Sequence, residues 1–281
     1  MTPFSLNING RLVCYTRPVV MGILNVTPDS FYSGSRCCNR GEVTAVVRDM
    51  LENGVDIIDI GACSTRPGSQ SVSPAEELRR LEPAIEALRS VAPDVPLSVD
   101  TFRADVAREL VRNHTVNIIN DISGGSLDKE MFETVADLNV PYILMHTRGT
   151  PETMQQFTDY GPRGVTASVL DDLACRLNQL ALLGVNDVII DPGFGFAKTP
   201  EQNFTLMRDL GVFRELRMPL LVGMSRKSMI TRTLGIATDQ ALAATTALNA
   251  YALDRGADIL RVHDVKEARQ AADLYCNILK S

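Results

Sequence analysis

The sequence contains no long hydrophobic run and no recognisable export signal. A membrane-spanning helix needs about 18 or more consecutive apolar residues, and no such stretch occurs. The amino terminus has no basic segment followed by an apolar one, which is the pattern of a secretory signal peptide. These absences predict a chain that is neither secreted nor membrane-spanning, and we expect a cytoplasmic location.

Positive charge is also scarce. The chain carries 28 Lys and Arg against 34 Asp and Glu, which gives a formal net charge of −6 at pH 7. Proteins that bind nucleic acids or anionic membranes usually present a basic surface. We therefore expect no nucleic-acid and no membrane partner. A locally basic site can still hold an anionic substrate, because electrostatic steering depends on local charge.

Cysteine and histidine form no metal-binding or disulfide pattern. The 3 histidines are far apart in the sequence, and no two cysteines have the C-x-x-C spacing of zinc or redox sites. Reduced cytosolic thiols are therefore favoured over a zinc site or a disulfide framework. The 6 cysteines are Cys14, Cys37, Cys38, Cys63, Cys175 and Cys276.

Common catalytic motifs are missing as well. The chain has no G-x-S-x-G, no H-E-x-x-H and no P-loop, and Gly193-Phe194-Gly195 is too short for a dinucleotide fingerprint. It also has no linker, low-complexity tract or charge block. A hydrophobic content of 45% is typical of a globular protein. Although length alone would allow two domains, α/β barrels of about 250 residues form one, so we predict a single domain over residues 1–281.

Short β-branched apolar runs alternate with amphipathic helical segments along nearly the whole chain. Several runs show no polar alternation, which is typical of parallel strands covered on both faces. The predicted strands are residues 19–26, 55–61, 96–101, 116–121, 141–146, 187–191, 219–224 and 258–263. Eight strand–helix units predict an α/β fold, a (β/α)₈ TIM barrel over residues 18–281. An open doubly wound sheet is the alternative.

Local signals support these boundaries. Ser73-Pro74-Ala75-Glu76 and Thr199-Pro200-Glu201-Gln202 have the pattern of helix starts, and Gly54 and Gly184 lie where helices should end. Residues 1–17 differ from the rest, because two short strands flank an Asn9-Gly10 turn. We predict an N-terminal β-hairpin there that covers the barrel floor.

Polar residues close almost every predicted strand. Active sites of such barrels lie at the carboxyl ends of the strands. Any single polar residue can cap a loop, but eight at equivalent positions indicate a ligand, since unpaired buried polar groups cost about 1–3 kcal/mol each. They are Asn25, Gly61 with Thr65 and Arg66, Asp100, Asn120 with Asp121, His146, Asp191, Ser225 with Lys227, and Arg261 with His263.

These residues divide into two chemical sets. Asp100, Asn120 and Asp191 suit a flat heterocycle that offers N–H groups, because a carboxylate can accept two parallel N–H bonds. The second set suits an anion, with or without a metal ion, because guanidinium groups match phosphate oxygens. It comprises Arg66, Lys227, Arg261, His263 and Asn25. The residues therefore predict a planar polar ring attached to a phosphate-like group.

Seven motifs, in order and spacing, resemble those of the dihydropteroate synthases, and the resemblance covers nearly all of the chain. The motifs are residues 22–31 (GILNVTPDSF), 64–68 (STRPG), 99–101 (VDT), 120–122 (NDI), 191–196 (DPGFGF), 223–228 (GMSRKS) and 261–265 (RVHDV). Two positions depart from the family pattern. Cys63 stands where members often carry Glu, and Ser33 where many carry Asp.

The resemblance implies a reaction and a set of residue roles. A dihydropterin diphosphate would condense with p-aminobenzoate by an SN1-like displacement in folate biosynthesis, and the residues implied to act in catalysis are Asp100, Asp191, Lys227 and Arg261. The implied pterin residues are Asp100, Asn120, Met145, Asp191, Phe196 and Lys227. Those for diphosphate are Asn25, Arg66, Arg261 and His263, and Asn25 would bind Mg²⁺. Those for p-aminobenzoate are Phe31, Thr65, Arg66, Pro67, Lys227 and Ser228.

The resemblance also implies partners. Sulfonamides are the expected inhibitors, and a homodimer is expected because the helix of residues 241–253 is Ala-rich and largely apolar. Three alternatives stay open at this point. They are a pterin-barrel methyltransferase, a noncatalytic pterin-binding paralogue, and a sulfonamide-insensitive synthase.

Overall fold

The computed structural model describes residues 3–26, 39–63 and 72–279. Its strands are β1 (Phe4–Ile8), β2 (Arg11–Tyr15), β3 (Val19–Asn25), β4 (Ile57–Gly61), β5 (Leu97–Asp100), β6 (Ile118–Asp121), β7 (Tyr142–Met145), β8 (Val188–Asp191), β9 (Leu221–Val222) and β10 (Ile259–Val262). Its α-helices are α1 (Arg40–Glu52), α2 (Pro74–Val91), α3 (Ala104–Asn113), α4 (Met131–Leu138), α5 (Gly164–Leu182), α6 (Pro200–Arg208), α7 (Ser228–Leu234), α8 (Leu242–Asp254) and α9 (Val265–Ile278).

Strands β3 to β10 form one parallel sheet in the order β8-β7-β6-β5-β4-β3-β10-β9. Its two edge strands meet through an isolated parallel bridge between Ile190 and Leu220. The Ile190 amide also donates to the Pro219 carbonyl oxygen at 2.9 Å. The sheet is therefore a nearly closed barrel, which confirms the predicted (β/α)₈ architecture and excludes the open doubly wound alternative.

The barrel interior changes from apolar to polar along the strand direction. An apolar ring near the amino ends of the strands comprises Val19, Met21, Ile57, Ile118, Ile143, Ile189, Leu221 and Ile259. Strand side chains alternate between faces, so the residue two positions further on points to the same interior, one layer nearer the carboxyl end. On six of these strands that residue is Asp59, Asn120, Met145, Asp191, Gly223 or Arg261. The chain thus builds a polar layer on an apolar base.

The intervening strand residues face outward and pack against the helices. Ile58, Ile60, Leu144 and Val222 are fully buried in the main core cluster between sheet and helices. Burying an aliphatic side chain of this size stabilises the fold by about 1.5–3 kcal/mol. This shell holds the strands in the register that sets the positions of the polar layer.

Helix ends follow the sequence signals. Thr199 caps α6 with a reciprocal capping box to Gln202, and the Ser73 hydroxyl accepts the Glu76 amide at 3.2 Å at the start of α2. Gly54 and Gly184, both with φ +81°, follow the ends of α1 and α5. The predicted helix boundaries at these four positions are confirmed.

The N-terminal hairpin closes the floor of the barrel. Strands β1 and β2 pair antiparallel around Asn9 and Gly10, whose φ angles of 52° and 76° suit a two-residue hairpin turn. Leu6 and Ile8 are buried against the apolar ring, and the Asn7 amide donates to Asp187 Oδ2 at 3.0 Å. The predicted hairpin is therefore present.

Two further observations concern the described part of the chain. None of its helices is both long and apolar enough to cross a membrane. Its four cysteines, Cys14, Cys63, Cys175 and Cys276, are free thiols, as expected from their spacing. Cys37 and Cys38 lie outside the described residues.

Candidate active site

The carboxyl ends of the strands bring most of the predicted site residues together. Asp100 ends β5 and pairs in register with Asn120 of β6, while Asp191 ends β8 beside Met145 of β7. Asn120 and Asp191 are 4% and 5% exposed, so these polar groups are buried within the barrel. Lys227 precedes the first residue of α7. The set inferred from strand ends alone is thus a spatial cluster.

Asp59 links two members of this cluster. Its Oδ2 accepts the Asn120 amide nitrogen at 2.9 Å and the Arg261 Nε at 2.6 Å. Arg261 Nη2 also donates to Asp100 Oδ2 at 2.8 Å, so the guanidinium bridges two carboxylates. A carboxylate only accepts hydrogen bonds, and Asp59 therefore fixes which end of the Asn120 amide faces it. The amide oxygen of Asn120 is left for another donor.

Asp191 and Lys227 form the other side of the pocket. Asp191 Oδ1 accepts the Gly193 amide at 2.8 Å. The Lys227 ammonium donates to the Phe194 carbonyl oxygen and lies 4.7 Å from the centroid of the Phe196 ring. A cation over an aromatic face is favourable. This contact places Phe196 at the pocket wall, next to the residues that can bind a ring.

Burial shifts the pKa of each of these groups. It raises the pKa of Asp100 to about 7, and the charge of Arg261 limits the rise. It also raises the pKa of Asp191, opposed by Lys227. Burial lowers the pKa of Lys227 to about 8, opposed by Asp191. The pocket therefore contains acidic and basic groups that titrate near neutral pH, a common property of functional sites.

The last two loops of the barrel are tied to each other. The Ser225 hydroxyl lies 3.0 Å from His263 Nδ1 and accepts the His263 amide at 3.2 Å. The Arg226 guanidinium makes two bonds to Asp264, at 2.8 and 2.7 Å. These contacts join the loop after β9, which carries Lys227, to the loop after β10, which carries His263.

The remaining predicted residues fall into two groups. Asn25 ends β3 and is partly exposed, and Ser228 is exposed as the first residue of α7. Phe31, Thr65, Arg66 and Pro67 lie outside the described residues, as does Ser33. Cys63 is half-buried, and burial raises the pKa of its thiol to about 12.

Two buried charged residues of the site were not predicted from the sequence. Asp59 is fully buried, and Lys198 is 3% exposed with its ammonium against loop carbonyls. A signal for Asp59 existed, because it follows Ile57 by two positions as Asn120 follows Ile118. An acidic residue inside an otherwise apolar strand therefore marked the interior face. Lys198 is the only charged residue between Asp191 and Glu201, a weaker signal.

The arrangement suits a polar aromatic ring bearing an anionic leaving group. Asp100 and Asp191 can each accept N–H groups of a ring, and they can stabilise positive charge that develops on it. Lys227 and Arg261 supply fixed cations at the same pocket. One hydroxyl–imidazole pair is present, Ser225 Oγ and His263 Nδ1 at 3.0 Å, but Ser225 is 5% exposed and its hydroxyl also accepts the His263 amide, so the pair joins two loops.

Comparisons with known proteins agree with this chemistry. Residues 21–263 match the family described as pterin binding enzyme. A dihydropteroate synthase of Synechocystis sp. is 43% identical over 257 residues, which cover 90% of this chain and 88% of that protein.

Solved structures give the same result. A Yersinia pestis dihydropteroate synthase in a sulfonamide drug complex has a TM-score of 0.91 at 38% identity, covering 99% of this chain and 100% of that one. A Xanthomonas albilineans dihydropteroate synthase in complex with 7,8-dihydropteroate has a TM-score of 0.84 at 35% identity, covering 99% of both chains.

Proposed function

This chain belongs to the dihydropteroate synthases, transferases of the pterin-binding enzyme family, and from that premise we propose how its residues carry out the reaction. The reaction condenses 6-hydroxymethyl-7,8-dihydropterin diphosphate with p-aminobenzoate to give 7,8-dihydropteroate and diphosphate in folate biosynthesis. The observation that carries the residue assignment is the convergence of Asp100, Asn120 and Asp191 beside the cations of Lys227 and Arg261.

The pterin ring binds in the polar layer of the barrel. Asp100 and Asp191 accept its N–H groups, and the Asn120 amide oxygen, directed by Asp59, accepts another. Met145, which is 3% exposed, and Phe196 line the faces of the ring. Two features support this placement of the ring: short acceptor side chains lie at one level of the barrel interior, and the side chains of Met145 and Phe196 lie beside them.

The displacement is SN1-like. The C–O bond to diphosphate breaks first, and the diphosphate leaves with the electron pair. Asp100 and Asp191 stabilise the cationic dihydropterin until the p-aminobenzoate amine attacks, forms the C–N bond and releases a proton. Lys227, Arg261 and His263 stabilise the departing diphosphate. A guanidinium has five N–H donors, so Arg261 can keep Asp59 and Asp100 and still donate to an anion.

Asn25 is the residue that would hold Mg²⁺. Its amide oxygen is a ligand type that Mg²⁺ accepts, and Mg²⁺ is commonly held by few protein ligands together with substrate phosphates. Asn25 also stands partly exposed at the mouth, where the diphosphate is proposed to bind. When bound there, the ion would neutralise charge on the leaving group.

The p-aminobenzoate site lies above the pterin pocket. Lys227 and the exposed Ser228 contribute from the start of α7, and the other residues of the set are Phe31, Thr65, Arg66 and Pro67, outside the described residues. Sulfonamides would inhibit by occupying this site, by analogy with the Yersinia pestis relative.

A cytoplasmic homodimer is part of the proposal. Free cysteines support a reducing compartment. Leu234, Leu274, Ile278 and Leu279 are each more than half exposed, near the chain's last helices. A second copy packed on these helices would cover them, and sedimentation velocity measures the assembly state directly.

One assay of product formation tests the proposed function. Purified protein supplied with dihydropterin diphosphate, p-aminobenzoate and Mg²⁺ should form dihydropteroate and release one diphosphate per product. Absence of product from folded protein that binds both substrates would support the noncatalytic alternative. Insensitivity to sulfonamides with normal turnover would support the sulfonamide-insensitive one.

A further inference from the structure

Lys198 is a buried cation to which the proposed mechanism gives no part. It precedes the capping residue Thr199 of α6 and is 3% exposed. Its ammonium contacts the Gly193 carbonyl oxygen at 2.9 Å, the Phe196 carbonyl oxygen at 3.0 Å and His146 Nδ1 at 3.1 Å. These partners number three, the same as the N–H bonds of an ammonium group.

The His146 contact requires a neutral imidazole with a free Nδ1 lone pair. Burial and the nearby charge of Lys198 lower the pKa of His146 to about 2, so the ring is neutral. The ammonium form of Lys198 only donates hydrogen bonds, so Nδ1 accepts and the ring proton resides on Nε2 whenever Lys198 is charged. The three acceptors are neutral, so they orient the ammonium without cancelling its charge.

The segment that Lys198 holds, residues 193–196, forms a wall of the pterin pocket. The Asp191 carboxylate accepts the Gly193 amide, and Lys227 bonds to the Phe194 carbonyl oxygen and lies over the Phe196 ring. Gly193 has φ +72°, and a side chain there would collide with the His146 carbonyl oxygen. The segment therefore passes close to β7. Side-chain ammonium groups bond to its carbonyl oxygens, and the Gly193 oxygen also accepts the Phe196 amide at 3.2 Å.

We propose that Lys198 is a positioning residue for the pterin pocket, holding residues 193–196 so that Phe196 and Lys227 meet the bound ring. The inference rests on the proposed function, because it assigns the role to pterin binding. Lys198 touches no substrate in this scheme. It acts through the carbonyl groups at the two ends of the segment, those of Gly193 and Phe196.

The protonation state of Lys198 should respond to ligand binding in the pterin pocket. Charged and titratable groups face it from β7, β8, α5 and the start of α7, namely His146, Arg148, Asp191, Asp172 and Lys227. Burial lowers the pKa of Lys198 to about 7. Only the ammonium form can donate to all three acceptors, so pterin binding that needs the ordered segment should favour that form.

Lys198→Met is the direct test, with Lys129→Met, an exposed lysine on another loop, as matched control. We expect the dissociation constant for 6-hydroxymethylpterin, measured by calorimetry, to rise about 10-fold or more, which is typical of losing hydrogen bonds to a charged group. The KM for p-aminobenzoate at saturating pterin diphosphate should rise less than the pterin dissociation constant, because Lys227 is the only residue of the held wall that is also assigned to the p-aminobenzoate site. The Lys129→Met variant should match the wild type in both measurements.

Two results would overturn the proposal. One is an unchanged pterin dissociation constant in folded Lys198→Met protein. The other is an equal loss of affinity for the pterin and for p-aminobenzoate, which would indicate a general loosening of the barrel. A wild-type protein that binds pterin but makes no dihydropteroate would refute the proposed synthase function. The effect of Lys198→Met on pterin binding could still be interpreted.

A second measurement applies even where Lys198→Met does not fold. Wild-type protein with ¹³C-labelled lysine has only 5 lysine Cε signals to assign. We expect the Lys198 signal to titrate near the lowered pKa, and saturating 6-hydroxymethylpterin should raise that pKa because it favours the ammonium form. A Lys198 pKa that pterin leaves unchanged would contradict the proposal.

Discussion

The Asp59 carboxylate is fully buried and serves two neighbours through one oxygen atom, Asn120 Nδ2 and Arg261 Nε. Removing one partner of a buried ion pair leaves the other charge uncompensated and typically costs about 3–5 kcal/mol. We predict that Asp59→Ala and Arg261→Ala each lower the free energy of unfolding by about this amount. The double variant should lose clearly less than the sum of the two.

Chemical denaturation of the four proteins of this cycle measures the coupling. The exposed pair Glu76 and Arg79 of α2, joined by a 2.6 Å bond, provides the control cycle and should show a much smaller coupling. Additive losses at Asp59 and Arg261 would mean that the two side chains do not support each other in solution.

The pH dependence of turnover follows from the pocket pKa values. Asp100 accepts N–H bonds best when ionised, so kcat/KM for the pterin substrate should rise as pH increases through about 7. Lys227 must be protonated to donate, so kcat/KM should fall as pH increases beyond about 8. The result is a narrow bell whose limbs belong to the interacting set rather than to single residues. Rates measured between pH 5.5 and 9.5 that show no maximum would contradict these assignments.

At the scale of single elements, every predicted barrel strand lies within two residues of its observed bounds, and β9 is shortened most. Strand β3 begins at Val19 as expected, whereas β9 contains only Leu221 and Val222 of the predicted 219–224. Leu220 makes a single bridge to Ile190, and beyond Val222 the chain turns toward the next loop, where Ser225 bonds to His263. The apolar pattern over residues 219–224 does not reveal where the paired segment begins and ends.

The capping box of α6 should be worth a measurable amount of stability. The Thr199 hydroxyl accepts the Gln202 amide at 3.2 Å, and Gln202 Oε1 accepts the Thr199 amide at 2.8 Å. Thr199→Ala should lower the free energy of unfolding by about 1 kcal/mol, because it leaves a helix N–H without its partner. Gln202→Ala, which keeps the Thr199 hydroxyl, is the comparison variant and should keep the bond that the residue 202 amide donates to that hydroxyl. An unchanged unfolding midpoint for Thr199→Ala would show that solvent replaces the cap.

On the scale of the whole molecule, the alternation of strands and helices predicted the barrel, and strand-end polarity predicted much of the pocket. The contact between Arg261 and Asp59 joins residues 202 positions apart, and local patterns do not reveal such pairs. The alternation of interior residues does place them at one level, two positions beyond Ile259 and Ile57. The sequence therefore predicts which layer of the barrel interior a residue occupies better than it predicts which residue it contacts.

The barrel separates a stabilising end from a binding end, and the N-terminal hairpin allows a test of that separation. Leu6 is 1% exposed and packs on the apolar ring at the amino ends of the strands. Leu6→Ala should lower the free energy of unfolding by about 2–5 kcal/mol, as expected for a cavity in a packed core. Its KM for the pterin substrate should stay at the wild-type value, because residues of the binding layer lie beyond the ring.

Leu12→Ala is the matched control, since Leu12 is 73% exposed on the neighbouring strand and should change neither quantity. A Leu6→Ala protein with wild-type stability would show that the hairpin does not seal the floor, and a raised pterin KM would show that the two ends are coupled through the barrel interior.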